Sequence, residues 1–480
     1  MAVPNGKSRT LMKSMLIYMI GNVLGKLTTS FFLTPLQSGT LGPDAFGYVD
    51  MILVISNVII PVVFLHVWDG ILRFSFDRDS DDHRKTVFTN GFLMFICSTA
   101  LTLVLGLITG TVWKTTGLKN NYLELKDLHF LVLIVILQGG VNVLQYYCRA
   151  MGKNTVFAVS GLVFASFIVI FNYLFLGSLH MGIQGVLTAN GIALAVECLF
   201  LIAVLKVPAA FRPKKISANM IKKMALFAAP LAVNAVFYWV LTAVNRFFLN
   251  DRGDNGNYAA ALRLSNALQI FTTVVSLAWQ ESAFASHKDA DRSDYYSQGF
   301  NLYCRVMGCG LLCLLPVIHI MFPFLVRGAG FAQSRTVIPI FLFFTVLSAL
   351  SMFLGTLYAA EKRTTAIIWT TLAALAVDLA VLLPLLKPLG LMAAPIATSA
   401  GFLVMVLMRV LLLRPAIRIK IDVWFIGLFV VMAVFMGFFY YTCGVQLNII
   451  ALFAAGGVSL YMLRDLFFMI LPGRRGKHFR

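Results

Sequence analysis

The chain reads as a succession of apolar runs separated by short polar connections. Crossing a bilayer as a helix takes about 20 such residues. The hydropathy pattern, with its Gly, Pro and charge punctuation, predicts fourteen helices near 11–36, 45–66, 87–111, 128–147, 156–177, 181–205, 221–249, 257–284, 297–325, 336–360, 364–386, 389–412, 423–442 and 447–470. Fourteen crossings of that length take about 300 residues. A large soluble domain does not fit in what remains of 480. The expected fold class is an all-α polytopic membrane protein. Its first run follows Lys7, Arg9 and Lys13 and reaches about Leu36. That is too long for the apolar part of a secretory leader, and no A-x-A-like cleavage site closes it, so it reads as an uncleaved helix.

Composition agrees. Hydrophobic residues make up 59% and charged residues 12%, the latter about half the roughly 25% of soluble domains. Disorder, collagen and coiled coil are excluded with the soluble class. The excess of 39 Lys+Arg over 20 Asp+Glu would suggest nucleic acid in a soluble protein. Here no nucleic-acid partner is expected, because basic residues hold cytoplasmic loops inside. With an inside N-terminus, 28 of the 39 bases fall on cytoplasmic sides, eight on the opposite sides, and Lys26, Arg263 and Arg305 within helices. The bias puts both termini in the cytoplasm. The connection 112–127, with Lys114, Lys119 and Lys126, is the one contrary signal. Seven cysteines, almost all in apolar runs and without a CxxC, read as small hydrophobes and not as a disulfide frame or zinc site.

The basic connection after six helices contains Pro208, Pro213 and four Lys/Arg within Lys206–Lys215, and reads as a linker. A shift of 209 residues pairs Lys13 with Lys222, Met15 with Met224, Gly47 with Gly256, Leu53 with Leu262, Ser56 with Ser265 and Asn57 with Asn266. Six helices per repeat leaves both halves with one orientation. This predicts two six-helix lobes, 1–206 and 221–414, joined by the cytoplasmic linker 207–220. A substrate site would lie between them at mid-depth. Residues 415–480 add two transmembrane helices and a basic cytoplasmic tail.

No nucleotide loop, HExxH or GxSxG occurs, so neither catalysis nor a cofactor or metal is expected. Intramembrane charges are the informative residues, since each is costly unless it faces protein or water. Lys26 lies deep in the first helix on one face with Asn22 and Thr29. The run 221–249 carries Asn234, Tyr238, Thr242 and Asn245 at helical spacing, with Arg246 at its end. The next carries Arg263, Asn266, Gln269, Thr273, Ser276 and Gln280 in one arc. Such stripes face a hydrated cavity or serve as interhelical hydrogen-bond glue. Trp279 is read as an interfacial belt residue or a sugar-stacking platform. Glu197 and Asp378, in apolar stretches, are candidates for proton or sodium coupling, or for pairing with Lys26 or Arg305. Asp50 reads as interfacial. Arg73, Arg149 and Arg305 read as topological or headgroup contacts near the cytoplasmic ends.

The segment Lys13–Asp50, with LIYMIGNVLGKL, FFLTPL and LGPDAFGYVD, resembles the opening of bacterial oligosaccharide flippases, the polysaccharide-biosynthesis transporters. So do VNRFFLND (244–251), NYAAALRL (257–264), AWQESAF (278–284) and LGTLYAAEKRTT (354–365). The resemblance spans most of residues 9–412. The superfamily also holds multidrug extruders and lipid II flippases. The resemblance implies two six-helix lobes, a central cavity and alternating access in a bacterial cytoplasmic membrane. It implies movement of an undecaprenyl-pyrophosphate-linked oligosaccharide between leaflets, in association with glycosyltransferases and a polysaccharide polymerase. Where relatives often carry Asp before the arginine of the seventh helix, this chain has Asn245.

Residues and resemblance together point to such a flippase. Lys26, Arg263 and Arg246 would bind the pyrophosphate, the polar stripes the sugars, and membrane lipid the prenyl tail. An ion-coupled multidrug exporter of the same fold would favour an acidic cavity, whereas the cavity candidates are mostly basic. A membrane glycosyltransferase or polymerase would carry sizeable external loops. The first one expected here, 37–44, offers only Asp44, and the longest, 112–127, has about 16 residues.

Overall fold

The computed structural model describes residues 32–78, 80–117, 123–249, 252–269, 272, 279, 292–328, 330–361 and 364–464. Among these residues the chain forms helices and no strand. Eleven stretches are long and apolar enough to cross a membrane, and one of them, Ala366–Leu413, contains two helices in series. The chain is an all-α, multi-pass membrane protein. Most of the expected helix 11–36 and much of 257–284 lie outside the described residues.

Packing divides the chain into two compact units. One runs to Ala260 and takes in Arg327–Phe331; the other comprises Ala261–Val326 and continues from Ala332. The repeat suggests a lobe boundary in the linker 207–220, whereas compactness divides the chain at a different point.

The first unit contains α1 (Thr34–Thr40), α2 (Pro43–Phe64), α3 (Val67–Ser75), α4 (Asp81–Thr116), α5 (Leu128–Ala150), α6 (Asn154–Asn172), α7 (Gly182–Leu205) and α8 (Ala218–Ala243). Here α5 packs against α2, α3, α4 and α7, while α8 packs on α2, α3 and α4. Phe88 stacks on Tyr147 at 4.0 Å between α4 and α5. The expected external loop 37–44 is shorter than the sequence suggests: α1 continues to Thr40 and Pro43 already opens α2. Proline suits that position because its missing N–H would have had no partner in the first turn. The expected helix 45–66 ends at Phe64, because Leu65 and His66 take left-handed backbone angles (φ 47° and 51°) before α3 begins. Such residues cost about 1–3 kcal/mol each. Local contacts offset the cost: His66 Nδ1 lies 2.7 Å from the Asp69 carboxylate, and its ring lies 4.6 Å from that of Trp68.

The connection after α7 is strapped down. Arg212 and Lys215 both pair with Asp82 at the start of α4. The Arg212 amide donates to Thr89 Oγ1 (3.0 Å), Asn90 donates to the Lys215 carbonyl (3.1 Å), and the Ser217 amide donates to Asn90 Oδ1 (2.7 Å). Exposed ion pairs contribute little, about 0–1 kcal/mol. The buried Asn90, which satisfies backbone groups on the strap, fixes where α8 starts. The Ser217 hydroxyl then caps α8 by accepting from the Met220 amide.

α9 (Arg252–Ser265) begins in the first unit and ends in the second. The second unit holds α10 (Arg292–Leu325), α11 (Ala332–Ala360), α12 (Thr364–Leu389), α13 (Ala393–Leu413), α14 (Val423–Thr442) and α15 (Val445–Met462). α11 is its most enclosed span, 72% buried, whereas α4 in the first unit is 11% buried and presents a wide apolar face. α14 and α15 pack on α10. They leave Trp424 80% and Phe453 77% exposed, a lipid-facing surface.

The segment joining α13 to α14 is held on α10. Arg305 donates to Asp422 (2.8 Å), Asn301 donates to the Lys420 carbonyl (2.8 Å), and Asp422 caps α14 by accepting from the Phe425 amide (3.1 Å). The Arg305 hydrogen bond, then the Phe425 amide, hold the Asp422 carboxyl below its ordinary 3.8. A depressed carboxyl stabilises the fold above its unfolded value, and that contribution is lost as pH falls through the folded value. Asp422→Asn is therefore expected to lower thermal stability by about 1 kcal/mol or less, given partial exposure. The deficit against the parent should be constant from pH 5 to 8 and shrink below about pH 4. Melting curves of both proteins across that range check it.

Candidate functional site

Arg246 is the best-defined charged residue among those the sequence singled out. α8 passes at Val244 into a tighter turn, Val244–Phe247, with about 3.0 residues per turn in place of 3.6. The change of pitch takes Asn245 and Arg246 off the line of Asn234, Tyr238 and Thr242, which stay half-buried on α8. Arg246 points into the first unit and pairs with Asp50 of α2, both side chains being buried. Its guanidinium lies 4.8 Å from the centre of the Tyr258 ring, and Asn255 donates to its carbonyl (3.3 Å). The acid expected beside this arginine in relatives is thus supplied 196 residues away. Asp50, read as interfacial, is buried for the same reason. An anionic ligand at Arg246 would have to compete with Asp50.

The ion pair belongs to a seam within the first unit, made by residues 38–50, 244–249, 254–258, 327–328 and 330–331. The Arg327 amide donates to Ser38 Oγ (3.1 Å), and Asn257 donates to the Gly330 carbonyl (3.1 Å). Phe46 meets Phe331 edge-on at 5.4 Å. At Gly256 the backbones come so close that any Cβ would collide with the Pro43 carbonyl. Tyr48 anchors the α2 side by donating to Asp127 (2.7 Å) and accepting from the Glu124 amide (2.8 Å).

Glu197, on α7, is buried in the same unit and accepts from Gln145 of α5 (2.8 Å). Gln145 also reaches Ser160 Oγ of α6 (3.2 Å). Among the described residues these hydrogen-bond partners are neutral. A lone charge in such packing is costly, so the position suits a proton or small cation. Gln145 could have been found by the spacing test applied elsewhere: Gln138, Asn142 and Gln145 recur at i, i+4, i+7 in an apolar run.

In the second unit, Arg263, Asn266 and Gln269 are half-buried where α9 ends in the turn Asn266–Leu268. Asp378 of α12 is fully buried beside Gly401 of α13. Arg305, one suggested partner for the buried acids, is taken by Asp422 instead. Trp279 is 9% exposed and stacks on Phe353 at 4.4 Å. It is packing, neither belt nor sugar platform. Arg409, counted with the cytoplasmic bases, is buried. It donates to the Ser351 carbonyl (2.6 Å), Ser351 Oγ (2.8 Å) and Thr370 Oγ1 (3.2 Å). Lys26, Asn22, Thr273, Ser276 and Gln280 lie outside the described residues.

No protein-family profile and no curated protein sequence matches the chain. Solved structures do. The lipid II flippase MurJ, in an inward closed conformation, superposes with a TM-score of 0.64 at 10% identity, covering 95% of this chain and 99% of that one. An inward-facing multidrug resistance MATE family transporter of the MOP superfamily gives 0.62 at 12% identity, over 87% and 98%. An outward-facing one gives 0.58 at 15%, over 90% and 99%. The chain has the fold these transporters share.

Removing one partner of a buried ion pair costs about 3–5 kcal/mol, whereas replacing both can be near neutral. Asp50→Asn is expected to destabilise the protein by that amount. Asp50→Leu combined with Arg246→Met should recover most of it. Thermal unfolding of the single and double variants tests the pair, and additive losses would show that Asp50 and Arg246 act separately.

Proposed function

We propose that the chain is a flippase that moves a polyprenyl-pyrophosphate-linked oligosaccharide across the bacterial cytoplasmic membrane by alternating access, for cell-surface polysaccharide synthesis. The observation that carries this reading is a half-buried run of one guanidinium and two amides, Arg263, Asn266 and Gln269, in a chain with the fold of MurJ and the MATE transporters. A guanidinium forks onto pyrophosphate oxygens, and side-chain amides suit sugar hydroxyls. Asn234 and Tyr238, and from the sequence Asn22, Lys26 and Gln280, are further candidates for substrate contact. No bond is made or broken. Both termini would be cytoplasmic, as the charge bias implies. The six-helix lobes 1–206 and 221–414 would alternate about the seam that Asp50 and Arg246 close. Glycosyltransferases and a polymerase would act before and after it.

A second reading, an ion-coupled multidrug exporter, draws support from Glu197, a buried acid with neutral partners. Reconstituted vesicles separate the two. On the flippase reading, Arg263→Ala lowers translocation of a lipid-linked oligosaccharide about tenfold or more, the worth of a charge-assisted hydrogen bond of about 1.5–3 kcal/mol. Arg263→Lys keeps part of the rate, since charge survives and the fork does not. Full translocation by Arg263→Ala would overturn the site. Extrusion of a cationic dye that Glu197→Gln abolishes, without oligosaccharide translocation, would favour the exporter.

A further inference from the structure

A groove of about 830 Å³ lies between α4 and the segment Leu125–Ile136, within the roughly 300–1,000 Å³ of ligand pockets. Its walls are apolar, formed by Leu103, Leu107, Leu128, Val132 and Leu133. Leu107 is 73% exposed, so the groove opens to the lipid side of the first unit. At Gly106 a Cβ would come within 2.8 Å of Val132 Cγ2, so the two helices nearly touch there. At Gly110 the nearest atom, Leu128 Cδ2, would lie 3.4 Å away, leaving room.

Two basic side chains, Lys114 at the end of α4 and His129 at the start of α5, line the groove and are exposed. These antiparallel neighbours bring both to the same end. From Leu103 to Lys114 the helix rises about 16 Å, half of the roughly 30 Å hydrocarbon core. The groove is therefore one leaflet deep, with its bases at headgroup level. Lys114 also belongs to the stretch that runs against the charge bias. Lys126 is met by Glu124 (2.8 Å), whereas Lys114 has no ion-pair partner among the described residues. A base kept on the side that otherwise lacks them, above an apolar trough one leaflet long, is explained by an anion delivered from the bilayer.

We propose that this groove holds one anionic phospholipid, its phosphate on Lys114 and His129 and an acyl chain along Leu107 and Val132. The full-length chain, purified in a nonionic detergent, is titrated separately with phosphatidylglycerol, phosphatidylcholine and a polyprenyl monophosphate, and bound lipid is read by native mass spectrometry. One phosphatidylglycerol should remain bound at concentrations where phosphatidylcholine does not. Combined Lys114→Ala and His129→Ala should weaken it about tenfold, and Gly110→Leu should expel it by filling the trough. Lys420→Ala, at an exposed base in the second unit, should change nothing. Both rim residues are exposed, so the double variant keeps its melting temperature, and it decides the question if Gly110→Leu lowers stability. Equal retention of both phospholipids, an unaffected double variant, or preferential capture of the polyprenyl phosphate with the same variant sensitivity would each overturn the assignment.

Discussion

A guanidinium within or at the rim of an apolar helix bundle needs a polar partner, and among the described residues the fold depends on how three of them are met. Three solutions appear. Arg246 takes a carboxylate from a helix 196 residues away. Arg305 takes Asp422 on the short segment between two helices. Arg409 takes the hydroxyls of Ser351 and Thr370 and a main-chain carbonyl. Each solution selects a neighbour that apolar packing alone would leave open, since helix–helix contact in lipid has little hydrophobic drive. The first draws the end of α8 onto α2, the second pins the C-terminal helices to α10, and the third orients α13 against α11 and α12.

Departures from regular helix do the complementary work of aiming polar groups. The tight turn Val244–Phe247 turns Arg246 toward Asp50. The turn Asn266–Leu268 follows Arg263. The left-handed pair Leu65–His66 ends α2 two residues before the expected end of its run and places His66 against Asp69. Irregular backbone at membrane depth is tolerated where protein or a water-filled cavity covers it. Such breaks are where a transporter fold holds its polar chemistry.

The helices were legible because the bilayer imposes a length and a polarity that any sliding window detects. The boundaries 423–442 coincide with α14, and most others move by a few residues. What escaped was long-range. Nothing near Asp50 announces Arg246, and a helical stripe drawn at 100° per residue could not anticipate a turn of tighter pitch. Charge counting placed Arg409 at a membrane edge because it cannot separate a base that faces headgroups from one that faces threonines. Trp279 looked available for a sugar only because its neighbours Phe353, Tyr295 and Tyr296 are distant in sequence or belong to another helix. Glu197, by contrast, was found from composition alone, since a lone acid in an apolar run is conspicuous.

The proposed alternation requires the seam around Asp50 and Arg246 to open and close. Spin labels at Thr40 and Phe248, both exposed, flank it within one unit. Pulsed electron–electron distance measurements on the chain in lipid test the claim directly. The account predicts two distance populations, with the longer one enriched by a lipid-linked oligosaccharide and by Asp50→Asn. A single short distance, unchanged by either, would contradict it.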